Sequence, residues 1–237
     1  MNGGGGDDVI TGGAGADFID GGTGADSLYG GGRNDLYTVD NQADIIFENV
    51  GEGYDTVRSS SPGFYLSANV EALELLSAGG DSFGVGNELD NKITGNAGSN
   101  TLSGGGGNDL ISGYDGTDFL YGEDGNDTLS GDGGNDYIVG GAGNDLLNGK
   151  TGDDKLFGES GADIFVFESG TGKDLIRDFQ TGIDKIDLTG FGLTSYADVQ
   201  AHMLQNKHAT VIDLGHGDMV VVQGVFNAEF SQGDFII

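Results

Sequence analysis

Isolated apolar residues recur every nine positions in two stretches of the chain. The first stretch contains Ile10, Ile19 and Leu28, and the second contains Ile111, Leu120, Leu129, Ile138, Leu147 and Leu156. Each is the middle one of three residues that follow a Gly-rich segment, which indicates a very short strand. Because side chains alternate between the two faces of a strand, the middle residue is expected to face inward. The pattern therefore predicts an all-β chain with one buried apolar residue per repeat.

These apolar positions belong to a nine-residue repeat, G-G-x-G-x-D-x-U-x, in which U is apolar. Four blocks run from Gly3 to Thr38 and nine more run from Gly86 to Val166, so the repeat covers about half of the 237 residues. Such a strict period is typical of stacked repeats and argues against a disordered Gly-rich linker. Gly adopts positive φ at little cost, so the three Gly favour a tight turn before each strand.

The nonapeptide resembles the repeat of the RTX (repeats-in-toxin, hemolysin-type) family of secreted calcium-binding proteins. The Asp of the motif is present in every block except the two that carry Asn91 and Asn100. The resemblance implies a right-handed parallel β-roll (a calcium β-helix) in which two nonapeptides form one coil. It also implies calcium ions between the turns of successive coils.

With two blocks per coil, each Asp lies beside the Asp two blocks later. At a separation of roughly 4.8 Å and an effective dielectric of about 20, two carboxylates repel by roughly 3.5 kcal/mol. Calcium takes about 6–8 oxygen ligands, so an ion between each pair would replace the repulsion with attraction. We expect about seven Ca²⁺ ions, held by Asp8 with Asp26, Asp17 with Asp35, Asp109 with Asp127, Asp118 with Asp136, Asp127 with Asp145, Asp136 with Asp154, and Asp145 with Asp163.

Three positions depart from the motif. Asn91 and Asn100 offer a carbonyl oxygen without a charge, and Arg33 replaces the fourth residue of its block, which is usually Gly. We expect the metal sites to weaken at both Asn residues. Asn100, opposite Asp118, is retained as a weaker candidate ligand.

The composition narrows the range of partners. The formal charge is −30, from 39 acidic and 9 basic residues, so nucleic acid and anionic lipid are unfavourable partners. There is no run of about 18 apolar residues that would span a membrane. The chain contains no Cys, which excludes disulfides and thiolate metal sites. Cations and basic surfaces are the natural partners of such a chain.

The sequence divides into four segments: a first array at 1–38, a strand-rich insert with few metal sites at 39–85, a second array at 86–166, and a C-terminal cap at 167–237. Strands are expected at 44–48, 55–58, 64–66 and 72–76 of the insert. Either these continue the stacked sheets or they form a separate small sheet. Because the repeat begins at Gly3 without a lead-in, we expect more protein to precede Met1.

The cap is expected to contain two strands before Leu188, a short helix at about 196–206 and a β-hairpin. Ser195 and Asp198 have the spacing of a capping box at the start of that helix. The region resembles the C-terminal part of serralysin-type RTX proteins. The final Asp234-Phe235-Ile236-Ile237 resembles the terminal signature of proteins exported by type I (ABC) secretion, and it also suits a last edge strand.

Catalytic motifs are not evident in the sequence. His202, His208 and His216 lack the spacing of a zinc-binding helix, and there is no G-x-S-x-G elbow for a serine hydrolase. Six of the nine basic residues lie between 150 and 207, near Phe157 and Phe179: Lys150, Lys155, Lys173, Arg177, Lys185 and Lys207. Scattered solubilising charges and a small anion-binding patch are both compatible with this distribution.

The sequence thus favours a non-catalytic, calcium-dependent folding and export module of a larger secreted bacterial protein. The second hypothesis is a carbohydrate-binding module of a secreted polysaccharide-active enzyme, because some RTX-like modules accompany polyuronate-modifying enzymes. The third is a protease or lipase fragment, which the missing nucleophile and zinc motifs disfavour.

Overall fold

The computed structural model describes residues 1–76 and 80–237, which form short strands stacked coil upon coil. One face of the solenoid is an eleven-stranded parallel sheet, here called the continuous sheet. Its strands are β2 (Phe18–Asp20), β4 (Leu36–Val39), β6 (Thr56–Ser59), β8 (Ala72–Leu75), β10 (Lys92–Thr94), β12 (Leu110–Ser112), β14 (Thr128–Ser130), β16 (Leu146–Asn148), β18 (Ile164–Val166), β20 (Lys185–Asp187) and β24 (Phe235–Ile236).

The opposite face contains two sheets. The N-terminal sheet consists of β1 (Val9–Gly13), β3 (Ser27–Gly31) and β5 (Ile45–Phe47). The ten-stranded C-terminal sheet consists of β7 (Gly63–Tyr65), β9 (Phe83–Val85), β11 (Thr101–Gly106), β13 (Phe119–Asp124), β15 (Tyr137–Ala142), β17 (Lys155–Ser160), β19 (Lys173–Ile176), β23 (Asp218–Gln223), β22 (Ala209–Gly215) and β21 (Met203–Gln205). From β1 to β20, odd and even strands therefore alternate between the faces, which confirms two nonapeptides per coil.

The core is a stack of single apolar side chains contributed alternately by the two faces. Ile111 pairs in register with Leu129, and Leu120 pairs with Ile138, in parallel ladders. These four side chains have no exposed surface. The inward orientation is confirmed at every predicted position. Ile10 also packs against the core but is only partly buried, because it belongs to the first coil. Burial of one residue per strand is possible because neighbouring coils cover it above and below.

The segment 39–85 continues the solenoid. On the continuous sheet, β4, β6, β8 and β10 pair without interruption across it. On the opposite face the strand order stops at β5 and resumes at β7. The strands predicted in the insert are present with slightly different ends, and β9 was not predicted. The described part of the insert thus joins the two arrays into one solenoid.

The C-terminal cap closes the last coil. Ser195 is the N-cap of helix α1 (Tyr196–His202), and its side chain accepts a hydrogen bond from the N–H of Asp198, as the capping pattern predicts. The predicted end at about 206 is wrong, because Met203–Gln205 leaves the helix and pairs with β22 as a strand. The hairpin β22–β23 is confirmed and attaches to the solenoid through β19. Among the described residues, no helix has both the length and the apolarity needed to span a bilayer.

Candidate metal centre

The Gly residues of the nonapeptide shape the turn for two different reasons. At the first position, a Cβ on Gly140 would lie only 2.9 Å from Cγ of Asp145, because the Asp side chain folds back over its own turn. At the fourth position, Gly116 has φ +138°, a conformation that favours Gly. The second position also has positive φ but accepts other residues, such as Tyr114 at +73°. Crowding therefore accounts for the Gly at the first position. Positive φ favours the Gly at the fourth position, although Arg33 adopts φ +77° there.

The Asp side chains form two ladders along the edges of the solenoid. The first ladder is defined by the Asp residues that precede strands of the continuous sheet, and the second by those that precede strands of the opposite face. In all seven predicted pairs, the main-chain N–H of one Asp donates to Oδ1 of the Asp one coil later, at 2.7 to 2.9 Å. The structure therefore brings together every predicted Asp pair.

The other oxygen of each carboxylate is the notable feature of the ladders. Oδ2 is buried and has no hydrogen-bond partner in the described chain at any of the eleven predicted Asp: Asp8, Asp17, Asp26, Asp35, Asp109, Asp118, Asp127, Asp136, Asp145, Asp154 and Asp163. Glycine carbonyl oxygens of the next coil face the same space: a Cβ on Gly113 would lie within 3.0 Å of both Oδ2 of Asp118 and the carbonyl oxygen of Gly131. Carboxylate and carbonyl oxygens are the hard donors that calcium prefers, so the residues fit this ion.

Burial also raises the pKa of the ladder carboxyls in the second array, because it removes water from the charged form. Bonds from the main-chain N–H groups lower the pKa in part, and in several cases neighbouring carboxylates raise it further. The pKa is raised to about 7 for Asp109, Asp136 and Asp145, and to about 6 for Asp118, Asp154 and Asp163. Near neutral pH the ladders thus hold buried negative charge that nothing in the described chain neutralises.

The ladders extend beyond the predicted residues. Asp44, Asp55, Asp174 and Asp184 accept from the N–H of Asp26, Asp35, Asp154 and Asp163 at 2.7 to 3.1 Å. Their spacing from these partners is 18, 20, 20 and 21 residues, and none belongs to a complete nonapeptide. They could have been predicted from the second half of the motif alone. That half is an Asp directly before or within a short strand, about eighteen to twenty-one residues after the previous Asp of the ladder.

The two Asn residues occupy ladder positions but use their amides differently. Oδ1 of Asn100 accepts from the N–H of Asn96 at 2.7 Å, and Oδ1 of Asn91 accepts from the N–H of Asn87 at 2.7 Å. Both therefore cap their own turn. Asn100 still donates its main-chain N–H to Oδ1 of Asp118, so it joins the ladder as a hydrogen-bond donor. Its role as a ligand stays a prediction.

A row of hydrogen-bonded side-chain amides, separate from the two Asp ladders, runs along the outside of the turns, at the residue before the Asp of the motif. The N–H of Asn126 donates to the side chain of Asn108 at 2.9 Å, and that of Asn144 donates to Asn126 at 2.7 Å. These bonds run in the opposite direction along the chain from those of the Asp ladders. The frequent Asn at motif position five therefore ties successive turns together, a function that the sequence analysis did not identify.

The three His lie apart in the cap. His202 contacts the carbonyl of Asp213 at 2.6 Å, and His216 lies in the β22–β23 turn with φ +56°. Of the basic residues, Lys150 pairs with Glu168 at 2.9 Å, and the Arg177 guanidinium lies 5.8 Å from the centre of the Phe157 ring. Phe179 is buried in the core and takes no part in a surface patch.

Comparison with known families matches the RTX calcium-binding nonapeptide repeat, in four copies, to residues 2–47, 85–120, 112–147 and 139–174. These matches together cover more than half of the chain. The chain belongs to the RTX repeat family. Membership implies calcium binding, and the unpartnered Oδ2 atoms of the ladders agree with it. A comparison with curated protein sequences finds no match.

Solved structures similar to this RTX chain include two modules from one enzyme and one lipase. The AlgE6R2 subunit of the Azotobacter vinelandii mannuronan C5-epimerase is 28% identical, with 65% of this chain and 91% of that one covered and a TM-score of 0.29. The AlgE6R3 subunit is 26% identical, with coverages of 63% and 78% and a TM-score of 0.31. The extracellular lipase LipA of Serratia marcescens is 16% identical, with coverages of 79% and 45% and a TM-score of 0.35.

Proposed function

We propose that this RTX chain is a non-catalytic module that couples calcium binding to folding and export of a larger secreted bacterial protein. The observation that carries the proposal is the set of buried, unpartnered Oδ2 atoms along both ladders. A buried charge without a partner is strongly unfavourable, whereas a cation shared between two such carboxylates removes the penalty. The ions would be held between the seven predicted Asp pairs, with Asp44, Asp55, Asp174 and Asp184 as further ladder ligands.

The proposed export role follows from the difference in calcium concentration across the cell envelope. Extracellular calcium modules bind with dissociation constants of about 10⁻⁴–10⁻³ M, so they stay empty in a low-calcium cytosol. An empty chain retains carboxylate repulsion at every coil and stays open, which suits passage through an ABC-type exporter. Outside the cell, binding energy becomes folding energy.

The C-terminal residues support a structural role beside the export signal. Asp234 is buried, and its Oδ1 accepts from the N–H of Gly182 at 2.6 Å. Phe235 and Ile236 pair with β20 as the last strand of the continuous sheet. The proposed type I signature would therefore be exposed in the unfolded chain during export. Once calcium has bound, it would be part of the fold, with Asp234 and Phe235 buried.

Circular dichroism with calcium, and then with an excess of chelator, tests this proposal. We expect a β-rich spectrum in millimolar calcium that is lost in chelator and restored by calcium. Magnesium at the same concentration is the control, and it should restore little, because Mg²⁺ demands octahedral geometry and dehydrates reluctantly. A folded spectrum that does not change in chelator would overturn the proposal.

A second candidate function, binding of an anionic polysaccharide, is favoured by the outer face of the C-terminal sheet. Tyr137 and Phe157 have ring centres 4.9 Å apart, and Phe119 lies 5.8 Å from Tyr137. Arg177 covers Phe157, and the exposed Lys155 lies on the same strand. Aromatic rings beside cations suit a uronate chain, whose carboxylates pair with Lys and Arg.

Titration of alginate-like oligomers at constant calcium tests this second function, with a neutral glucan oligomer as the control. Binding that is weakened by Arg177→Ala would support it. Absence of binding would remove the polysaccharide function and leave calcium-coupled folding intact.

A further inference from the structure

A third carboxylate joins the first Asp ladder at one coil only. Asp35, Glu48 and Asp55 each offer an oxygen that lies within 4.8 Å of the other two. Their exposed fractions are 2%, 8% and 0%, so all three side chains are more than nine-tenths buried. Among the described residues, this is the one group of three or more acidic, His or Cys side chains close enough to share a metal ion.

Glu48 comes from outside the nonapeptide repeat and outside the residues that match the RTX family. It directly follows Phe47, which pairs in register with Tyr29, so Glu48 occupies the place that Gly30 has one coil earlier. The motif requires Gly at this place. Here a carboxylate replaces it, in a turn that is two residues longer, since Asp55 follows Asp35 by 20 residues instead of 18.

The free oxygens of all three carboxylates point to a ligand. Oδ2 of Asp35, Oε2 of Glu48 and Oδ2 of Asp55 are buried and have no hydrogen-bond partner in the described chain. Their second oxygens are engaged: Asp55 accepts from the N–H of Asp35 at 2.7 Å, and Glu48 accepts from the hydroxyl of Tyr37. Each side chain is thereby held with one oxygen free.

The space for an ion depends on Gly30. A Cβ at this position would meet the Tyr37 hydroxyl, Oδ2 of Asp35 and an oxygen of Glu48 at once. None of the three carboxylates forms an ion pair within the described chain. Three buried negative charges converging on one small space require a cation.

From this geometry we infer that Asp35, Glu48 and Asp55 form a separate calcium site that fills before the ladder sites. The other predicted sites have two carboxylates per ion, and calcium affinity rises with the number of charged ligands and the rigidity of the site. We expect this site to fill at about tenfold lower free calcium than the rest. The inference goes beyond the proposed folding role, because it concerns which calcium site fills first and which residue, Glu48, makes that site different from the others.

The test uses the full chain and terbium, a hard trivalent ion that occupies calcium sites and emits when a nearby tyrosine is excited. Tyr37 contacts Glu48 and can therefore act as a sensitiser. We expect two phases in a calcium or terbium titration, with one ion in the tight phase and tyrosine-sensitised emission in that phase. Glu48→Gln, which keeps the size and removes the charge, should shift the tight phase about tenfold and leave the weak phase in place. Glu123→Gln, at an exposed residue of β13, is the matched control and should change neither phase.

A single class of sites in the unmodified chain would overturn the inference, as would a tight phase that is identical in Glu48→Gln. If Glu48→Gln does not fold even with calcium, the unmodified titration still decides, since it must show the tight single-ion phase. Failure of the proposed function is a different result, in which the chain binds no calcium in either phase.

Discussion

The main-chain N–H of Asp109 donates a 2.7 Å hydrogen bond to Oδ1 of Asp127, while Oδ2 of Asp127 is buried without a partner in the described chain. One carboxylate thus has a structural oxygen and an oxygen available to a cation. The same division recurs at every predicted Asp except Asp8 and Asp17, the first residues of the two ladders, whose side chains accept no such bond from the described residues. It explains how a stack of carboxylates can be both a hydrogen-bonded spine and a row of metal sites.

The substitution Asp127→Asn separates the role of this side chain as a hydrogen-bond acceptor from its role as a charged calcium ligand. The amide can still accept from Asp109, but the charge shared by the Asp109 and Asp145 pairs is lost. Calcium affinity depends on the number of charged ligands, so the calcium midpoint of folding should rise by about tenfold to a hundredfold. Calorimetry or circular dichroism against free calcium measures this shift. Asp124→Asn, at an exposed residue, should leave the midpoint unchanged.

The calcium-free chain should become more ordered as the pH falls. The pKa of Asp109, Asp136 and Asp145 is raised to about 7 in the fold, so the folded state binds more protons than the unfolded state between about pH 4 and pH 7. Stability from this source is complete below the unfolded pKa and is lost as pH rises through the folded pKa. Circular dichroism in chelator from pH 7 to 4.5 should show a gain in β structure. A constant or falling signal would show that ladder repulsion does not control the calcium-free state.

Gly140→Ala tests the crowding at motif position one. The added Cβ would lie 2.9 Å from Cγ of Asp145. Neighbouring atoms must shift to accommodate it, and such overpacking typically costs about 1–3 kcal/mol of folding stability. Thermal unfolding in saturating calcium should show this loss. In Gly32→Ala, the nearest atom to the new Cβ is Cα of Ala14 at 3.9 Å, so that variant should be neutral. Equal stability of the two variants would contradict crowding as the reason for Gly at motif position one.

Leu129→Ala tests the one-residue core. Leu129 has no exposed surface, whereas Leu110, on the neighbouring strand β12, is 48% exposed on the outer face. Truncation of a fully buried Leu costs about 2–5 kcal/mol, and truncation of an exposed one costs about 0.5 kcal/mol or less. Denaturant unfolding in saturating calcium compares the two variants. A similar loss for both would mean that alternation does not define the core.

The sequence predicted the coil because a strict period places chemically identical residues on top of one another. Once Asp109 and Asp127 are known to be one coil apart, the strand faces, the buried Leu129 and the carboxylate pairs follow from geometry. The description of the turn as Gly-rich was correct, but the separate cause of each Gly depends on contacts, such as Asp145 over Gly140, that spacing does not reveal.

The insert and the cap were harder to predict because their spacing is irregular. Asp55 and Asp184 follow their ladder partners by 20 and 21 residues, so a search for nine-residue blocks passes over them. Glu48 was missed because it stands where the motif has Gly, and only the parallel register of Phe47 with Tyr29 places it in the turn. Helix α1 was predicted from its cap, but its end depends on pairing of Met203–Gln205 with a strand that comes later in the chain.

The central claim is that the fold requires calcium, and small-angle X-ray scattering tests it most directly. For 237 residues, a compact chain has a radius of gyration of roughly 20 Å and an unfolded chain one of roughly 50 Å. We predict a value near the first in millimolar calcium and one near the second in chelator at neutral pH, with reversal when calcium is restored. A radius that stays near the compact value in chelator would contradict the claim that metal ions hold this solenoid together.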